Sequence, residues 1–131
     1  MTAPDLTQPA PATWQSVHFA ENSPEPEPLE AAAVRIVVLD GGAVASKQDL
    51  MAALSDALEF PDWFGGNWDA LDECLRDLGW LEANGHVLVI ERGEDLWKRD
   101  PELAGMLVRG WIDAGETWAS KGIPFHLVFV R

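Results

Sequence analysis

Three short apolar runs constrain this chain more than anything else in it. They are Val34–Leu39, His86–Glu91 and the segment around Phe125, Leu127 and Phe129. The first two are nearly continuous and rich in β-branched residues, the pattern of a strand covered on both faces. Stretches with helical spacing separate each run from the next, and strands joined through helices run parallel. Right-handed crossovers are expected between them. The prediction is an α/β fold: a three-stranded parallel sheet packed by helices.

The helices announce their own ends. Ser46 is a good N-cap with Asp49 three residues on, and Leu50, Leu54 and Leu58 follow at i+4 spacing. That predicts a helix over about 47–58, which Pro61 cannot continue. Asn67 caps a second helix whose core face is Trp68, Leu71, Leu75 and Leu78. Glu94–Lys98 suggests one short helical turn with Leu96 and Trp97 tucked in. Asp100-Pro101 opens a last helix with the stripe Leu103, Leu107, Trp111, Ala114 and Trp118, and Gly122 closes it.

Residues 1–33 differ in kind. Six of the nine prolines lie there, and Glu-Pro alternates over 25–28, which favours an extended, polyproline-like spacer. One island, Trp14–Phe19, alternates weakly and could dock as a short strand or stay disordered. The expected division is a proline-rich extension over 1–33 and one domain over 34–131.

Charge narrows the partners. Twenty-two Asp and Glu oppose nine Lys and Arg, a net charge of −13. Repulsion argues against direct binding of nucleic acid or an anionic membrane and favours a basic partner. No apolar run is long enough to span a bilayer, and no targeting signal opens the sequence. The single cysteine, Cys74, points to the core and fits a reducing, cytoplasmic compartment. His18, His86 and His126 show no metal-ligand spacing, and no cofactor is expected. Asp40-Gly41-Gly42 with Ser46-Lys47 fails as a phosphate loop, because no glycine precedes the lysine.

The chemistry concentrates at residues 60–75. On the helix from Asn67, Asp69, Glu73 and Asp77 stack at i, i+4 and i+8. Each such like-charge contact costs an isolated helix roughly 0.2–0.5 kcal/mol. Asp72 and Arg76 offset part of this, and Asp69 gains from the helix N-terminus. An acidic first turn is ordinary helix design, but it does not account for Trp63 and Phe64 with two glycines just before it. Phe64 fits the core. Trp63, beside Asp62, suits an exposed interface anchor, with the carboxylates facing a basic partner. Two acids one turn apart cannot flank a glycosidic bond. A metal-dependent hydrolase would need carboxylates from several elements, with Asp40 and Glu91 at strand ends as candidates. No nucleophile–base pattern is present, so no catalytic residue is expected.

The stretch Pro61-Asp62-Trp63-Phe64-Gly65-Gly66-Asn67-Trp68-Asp69-Ala70-Leu71-Asp72-Glu73-Cys74-Leu75 resembles the signature of the barstar family of ribonuclease inhibitors. The resemblance extends over about the last three-quarters of the chain and implies the same three-stranded parallel sheet. It implies inhibition by occlusion: helix and loop lie across the basic active site of a secreted guanyl-specific ribonuclease, a carboxylate taking the place of the RNA phosphate. The implied contact residues are Trp63, Gly65, Asn67, Trp68, Asp69, Asp72, Glu73, Arg76 and Trp80. Glu73 stands where the family archetype has aspartate, and Asp72 replaces an aromatic. An acidic position late in the last helix falls near Thr117, with Glu116 next to it. The extension has no counterpart. The expectation is a cytoplasmic inhibitor, or immunity protein, that is monomeric when free and is not an enzyme. An adaptor of the same fold for another basic protein is the alternative.

Overall fold

The computed structural model describes residues 4–131. Its sheet has four parallel strands in the order β1-β4-β3-β2: β1 Val17–Ala20, β2 Val34–Asp40, β3 Gly85–Glu91 and β4 Phe125–Val130. The expected three strands are β2, β3 and β4. The fourth is the Trp14–Phe19 island, where Thr13–Ser16 form a single 3-10 turn and Val17 then pairs with Leu127.

The helices are α1 Pro26–Ala31, α2 Lys47–Leu58, α3 Trp68–Asp77, α4 Gly93–Arg99 and α5 Pro101–Ser120. The caps form as the sequence indicates. The Ser46 hydroxyl accepts from the Asp49 amide at 3.1 Å, and the Asp49 carboxylate accepts from the Ala45 amide at 3.0 Å. Asp100 caps α5, and Gly122 ends it at φ +65°.

Each strand divides its side chains between two cores. Leu39, Leu88, Ile90, Leu127 and Phe129 face forward and meet Leu50, Leu54, Leu71, Leu75, Leu107 and Trp111 from the helices. Val34, Val87, Val89, Val128 and Val130 face backward and meet Leu6 and Leu29. The polyproline spacer expected at 25–28 is therefore corrected. Pro26 and Pro28 occupy the first turn of α1, where a missing N–H costs nothing. Leu29 then drops into the valine layer with 3% of its surface exposed. Burial of a leucine stabilises by roughly 1.5–3 kcal/mol, which contributes to holding the short helix against the sheet.

β2 is an edge strand, covered by α2 in front and by α1 behind except at Val38. Val38 shares the back face with Val34 and Ile36 but lies outside the cover of α1, and is 54% exposed. At the end of β2, Asp40 is committed to structure. Its carboxylate takes a two-pronged ion pair from Arg92 and accepts the Gly42 amide at 2.9 Å, and this holds it below the usual carboxylate range. Glu91 accepts from the Ser23 hydroxyl at 2.8 Å. Among the described residues no three His, Cys, Asp or Glu side chains are grouped so as to hold a metal ion. No helix is long and apolar enough to cross a membrane.

Candidate functional site: the loop before α3 and its acidic face

The loop between α2 and α3 is pinned from below by aromatic rings. Phe60 packs edge-on against Phe64 at 4.8 Å and against Trp80 at 6.2 Å. The Trp80 indole donates to the Leu58 carbonyl at 2.9 Å, fastening the segment after α3 to the end of α2. With Phe60, Phe64 and Trp80 turned inward, Trp63 is left 55% exposed at the tip. Gly66 takes φ +71°, a conformation that a side chain would strain. Gly65 is different: an added Cβ would meet only the Asn67 amide, at 3.4 Å. Nothing in the free protein demands a glycine at 65.

Asn67 does have a folding role. Its side-chain oxygen accepts from the Ala70 amide at 2.8 Å, which closes the first turn of α3. From there the helix sorts its residues by face. Leu71, Cys74 and Leu75 are buried. Burial, with Glu73 and Asp77 nearby, pushes the Cys74 thiol up to about 11, so it stays protonated and inert. Asp72 pairs with Arg76 at 2.9 Å, and Arg76 also donates to the Thr117 hydroxyl on α5 at 3.0 Å. The Trp118 indole donates to the Leu75 carbonyl at 2.7 Å. These two bonds lock α3 to α5.

Among the described residues, Asp69 and Glu73 have neither an ion pair nor a side-chain hydrogen bond. They stand one turn apart on the exposed side of a helix that cannot shift. A groove of about 600 Å³ runs between α3 and α5. Trp68, Asp69, Asp72, Glu73 and Arg76 form one wall; Met106, Arg109, Asp113 and Glu116 form the other. Five carboxylates face two guanidiniums there, and Arg76 is already taken.

Of the nine residues singled out by sequence, five line this groove. Trp63 and Gly65 sit on the loop that leads to it. Asn67 and Trp80 hold the loop and helix in place and have folding reasons to be where they are. Of the α5 wall, the sequence singled out Glu116 alone. The wall's signal was present, since Met106, Arg109, Asp113 and Glu116 recur at three- and four-residue spacing. It was masked by the stronger apolar stripe on the same helix.

The family described as "Barstar (barnase inhibitor)" matches residues 34–130. A Bacillus subtilis (strain 168) protein named "Putative ribonuclease inhibitor YrdF" is 39% identical over 49 residues, 37% of this chain and 52% of its own length. The chain thus spans about half the length of that curated relative. Among solved structures, a chain in the structure of Drosophila ORC bound to AT-rich DNA and Cdc6 is similar at a TM-score of 0.46 and 12% identity, over 88% of this chain and 39% of that one. The family match covers β2 through β4 and includes the whole loop, α3 and the α5 wall: this chain belongs to the barstar family of barnase inhibitors.

Proposed function

We propose that the protein inhibits a secreted, guanyl-specific ribonuclease by laying α3 and the loop before it across the enzyme's basic active site. The observation that carries this reading is the pair Asp69 and Glu73. Two carboxylates without partners are held one turn apart on a locked helix, beside the exposed ring of Trp63. Such a surface complements a cleft built to hold RNA phosphates, and needs little reorganisation to do so. Trp63 supplies apolar contact, and the bare backbone at Gly65 lets the enzyme approach closely. With the net charge of −13, attraction to a basic enzyme would speed association and make it salt-sensitive. In this reading the protein is a monomer when free, acts in the cytoplasm on an enzyme made by the same cell, and has no catalytic activity of its own.

The test is titration into guanyl-specific microbial ribonucleases while RNA cleavage is followed. Stoichiometric loss of cleavage is expected, with an association rate that falls as salt is raised. If no such enzyme is bound or inhibited, the reading fails. One observation favours a second reading, an adaptor for another basic protein. Asp72 is tied back to Arg76 where the family resemblance places an aromatic, so the groove lies open at that point. Recovery of only non-nuclease partners from the cell would favour that reading.

A further inference from the structure

The extension over residues 4–20 is held to the sheet by a histidine relay that the proposed inhibition does not use. His126 lies on the back face of β4 with 2% of its surface exposed, and His18 lies beside it on β1. The His126 Nε2 is 2.7 Å from the Gln8 carbonyl oxygen, and its Nδ1 is 2.9 Å from the His18 Nε2. A carbonyl can only accept, so the His126 proton sits on Nε2 and Nδ1 is the acceptor. His18 must then donate from Nε2. With both rings neutral the proton positions are fixed. One added proton can be shared, His126 Nδ1 then donating to a His18 that carries its own proton on Nδ1, but two added protons set N–H against N–H at 2.9 Å and break the link.

We propose that residues 4–20 form an acid-released strap: the relay His18–His126–Gln8 docks them on the sheet at neutral pH and lets them go when its imidazoles become charged. The strap's other anchors are the four register pairs of β1 with β4, the buried Leu6, Val17 against the front core, Phe19 stacked on Phe129 at 5.3 Å, and the 13–16 turn against α5. A cavity of about 570 Å³, lined by both histidines together with Asp5, Gln8, Trp14 and Gln15, gives protons a path to the pair. Charged groups around the relay are few. The Asp5 carboxylate, from the strap itself, favours a charged His126. The 13–16 turn carries no charge, the β4 neighbours Phe125, Leu127 and Val128 carry none, and β3 faces His126 with Val87. Glu21, beyond the far end of β1, pairs with Arg131.

The sign follows from burial. Burial, and then the neighbouring His126, lower His18 from 6.5 to about 4, and burial lowers His126. The released strap returns both to the ordinary histidine value near 6.5. Release therefore binds protons, and docking is lost as pH falls from about 6.5 toward 4. For His18 alone the docking equilibrium weakens about fiftyfold between pH 7 and pH 4.5. His86 is also lowered to about 4, but it lies on the front face against Trp118, so its protonation opposes the whole domain and not the strap.

Amide hydrogen exchange on the intact protein, corrected for intrinsic pH dependence, tests this. Between pH 7 and pH 4.5 the β1 amides should lose about fiftyfold protection while staying far less protected than the β3 amides, which open only with the whole domain and fall with His86 as well. The His18→Gln variant retains a neutral donor to His126 and should blunt the step. Asp5→Asn removes a charge that favours a protonated His126 in the docked state, so it should leave the step in place and deepen it. Unchanged β1 protection in the parent protein overturns the proposal, as does β1 protection equal to that of β3 at every pH, which would mean that the strap opens only with the whole domain. An undiminished step in His18→Gln, or its abolition by Asp5→Asn, does so too.

Discussion

The two faces of the sheet are built by opposite means. The front face carries α2, α3, α4 and α5, and its core is long leucines around the fully buried Trp111, which stacks on Phe125 at 4.0 Å. The back face is a row of valines closed by Leu6 and Leu29 from a proline-rich stretch. The front layer is thick, capped and cross-tied, and it displays the acids. The back layer is thin and held by a few contacts. The comparison shows where rigidity is needed. An inhibitor that presents fixed charges gains from a stiff front, while the back need only cover valines from water.

This asymmetry can be broken by mutation. Trp111→Ala should cost about 3–5 kcal/mol of stability, measured by urea unfolding. A loss under about 2 kcal/mol would mean that the front core is not the dominant one. Asp69→Ala and Glu73→Ala should each weaken ribonuclease binding by about 2 kcal/mol or more, read as Kd by calorimetry, while the circular-dichroism spectrum stays folded. Loss of that spectrum would instead give the acids a structural role. On the back face, Leu29→Ala should cost about 2 kcal/mol and act mainly on α1, so proteolysis near residues 21–33 should rise before the front unfolds. Simultaneous cleavage in α5 would erase the distinction between layers. The smallest effects belong to the loop. Asn67→Ala should cost about 1 kcal/mol of stability through the lost cap. Gly65→Ala should change stability by less than about 0.5 kcal/mol yet lower affinity, which separates a residue kept for folding from one kept for contact.

The two faces were also unequally legible. The front was readable because its signals repeat: leucines at i+4 on α2, caps at Ser46, Asn67 and Asp100, continuous strands between them. The back rests on single residues. Leu6 and Leu29 sit alone among prolines and glutamates, and no periodicity marks them. The Glu-Pro alternation at 25–28 is as compatible with the first turn of a helix as with an extended spacer, and only the valine layer decides between them. The fourth strand has only four residues and becomes a strand because β4 offers it an edge. At the site, Asp69 and Glu73 were legible as acids in excess of what a helix needs. That Asn67 and Trp80 serve the fold depended on partners distant in sequence, such as the Leu58 carbonyl.

The pairing of β1 with β4 bears on the order in which the protein can be made. His18 and His126 are 108 residues apart, and the Ala20 carbonyl waits for the Arg131 amide, 3.0 Å away in the finished fold. Translation delivers the strap before its docking edge. While the ribosome works through the helices, the N-terminal segment has no β4 to pair with, and such distant contacts are slow to find. β2, α2 and α3 emerge far earlier and need only β3 to begin assembling. The strap, synthesised ahead of the sheet it joins, is therefore among the last pieces to lock.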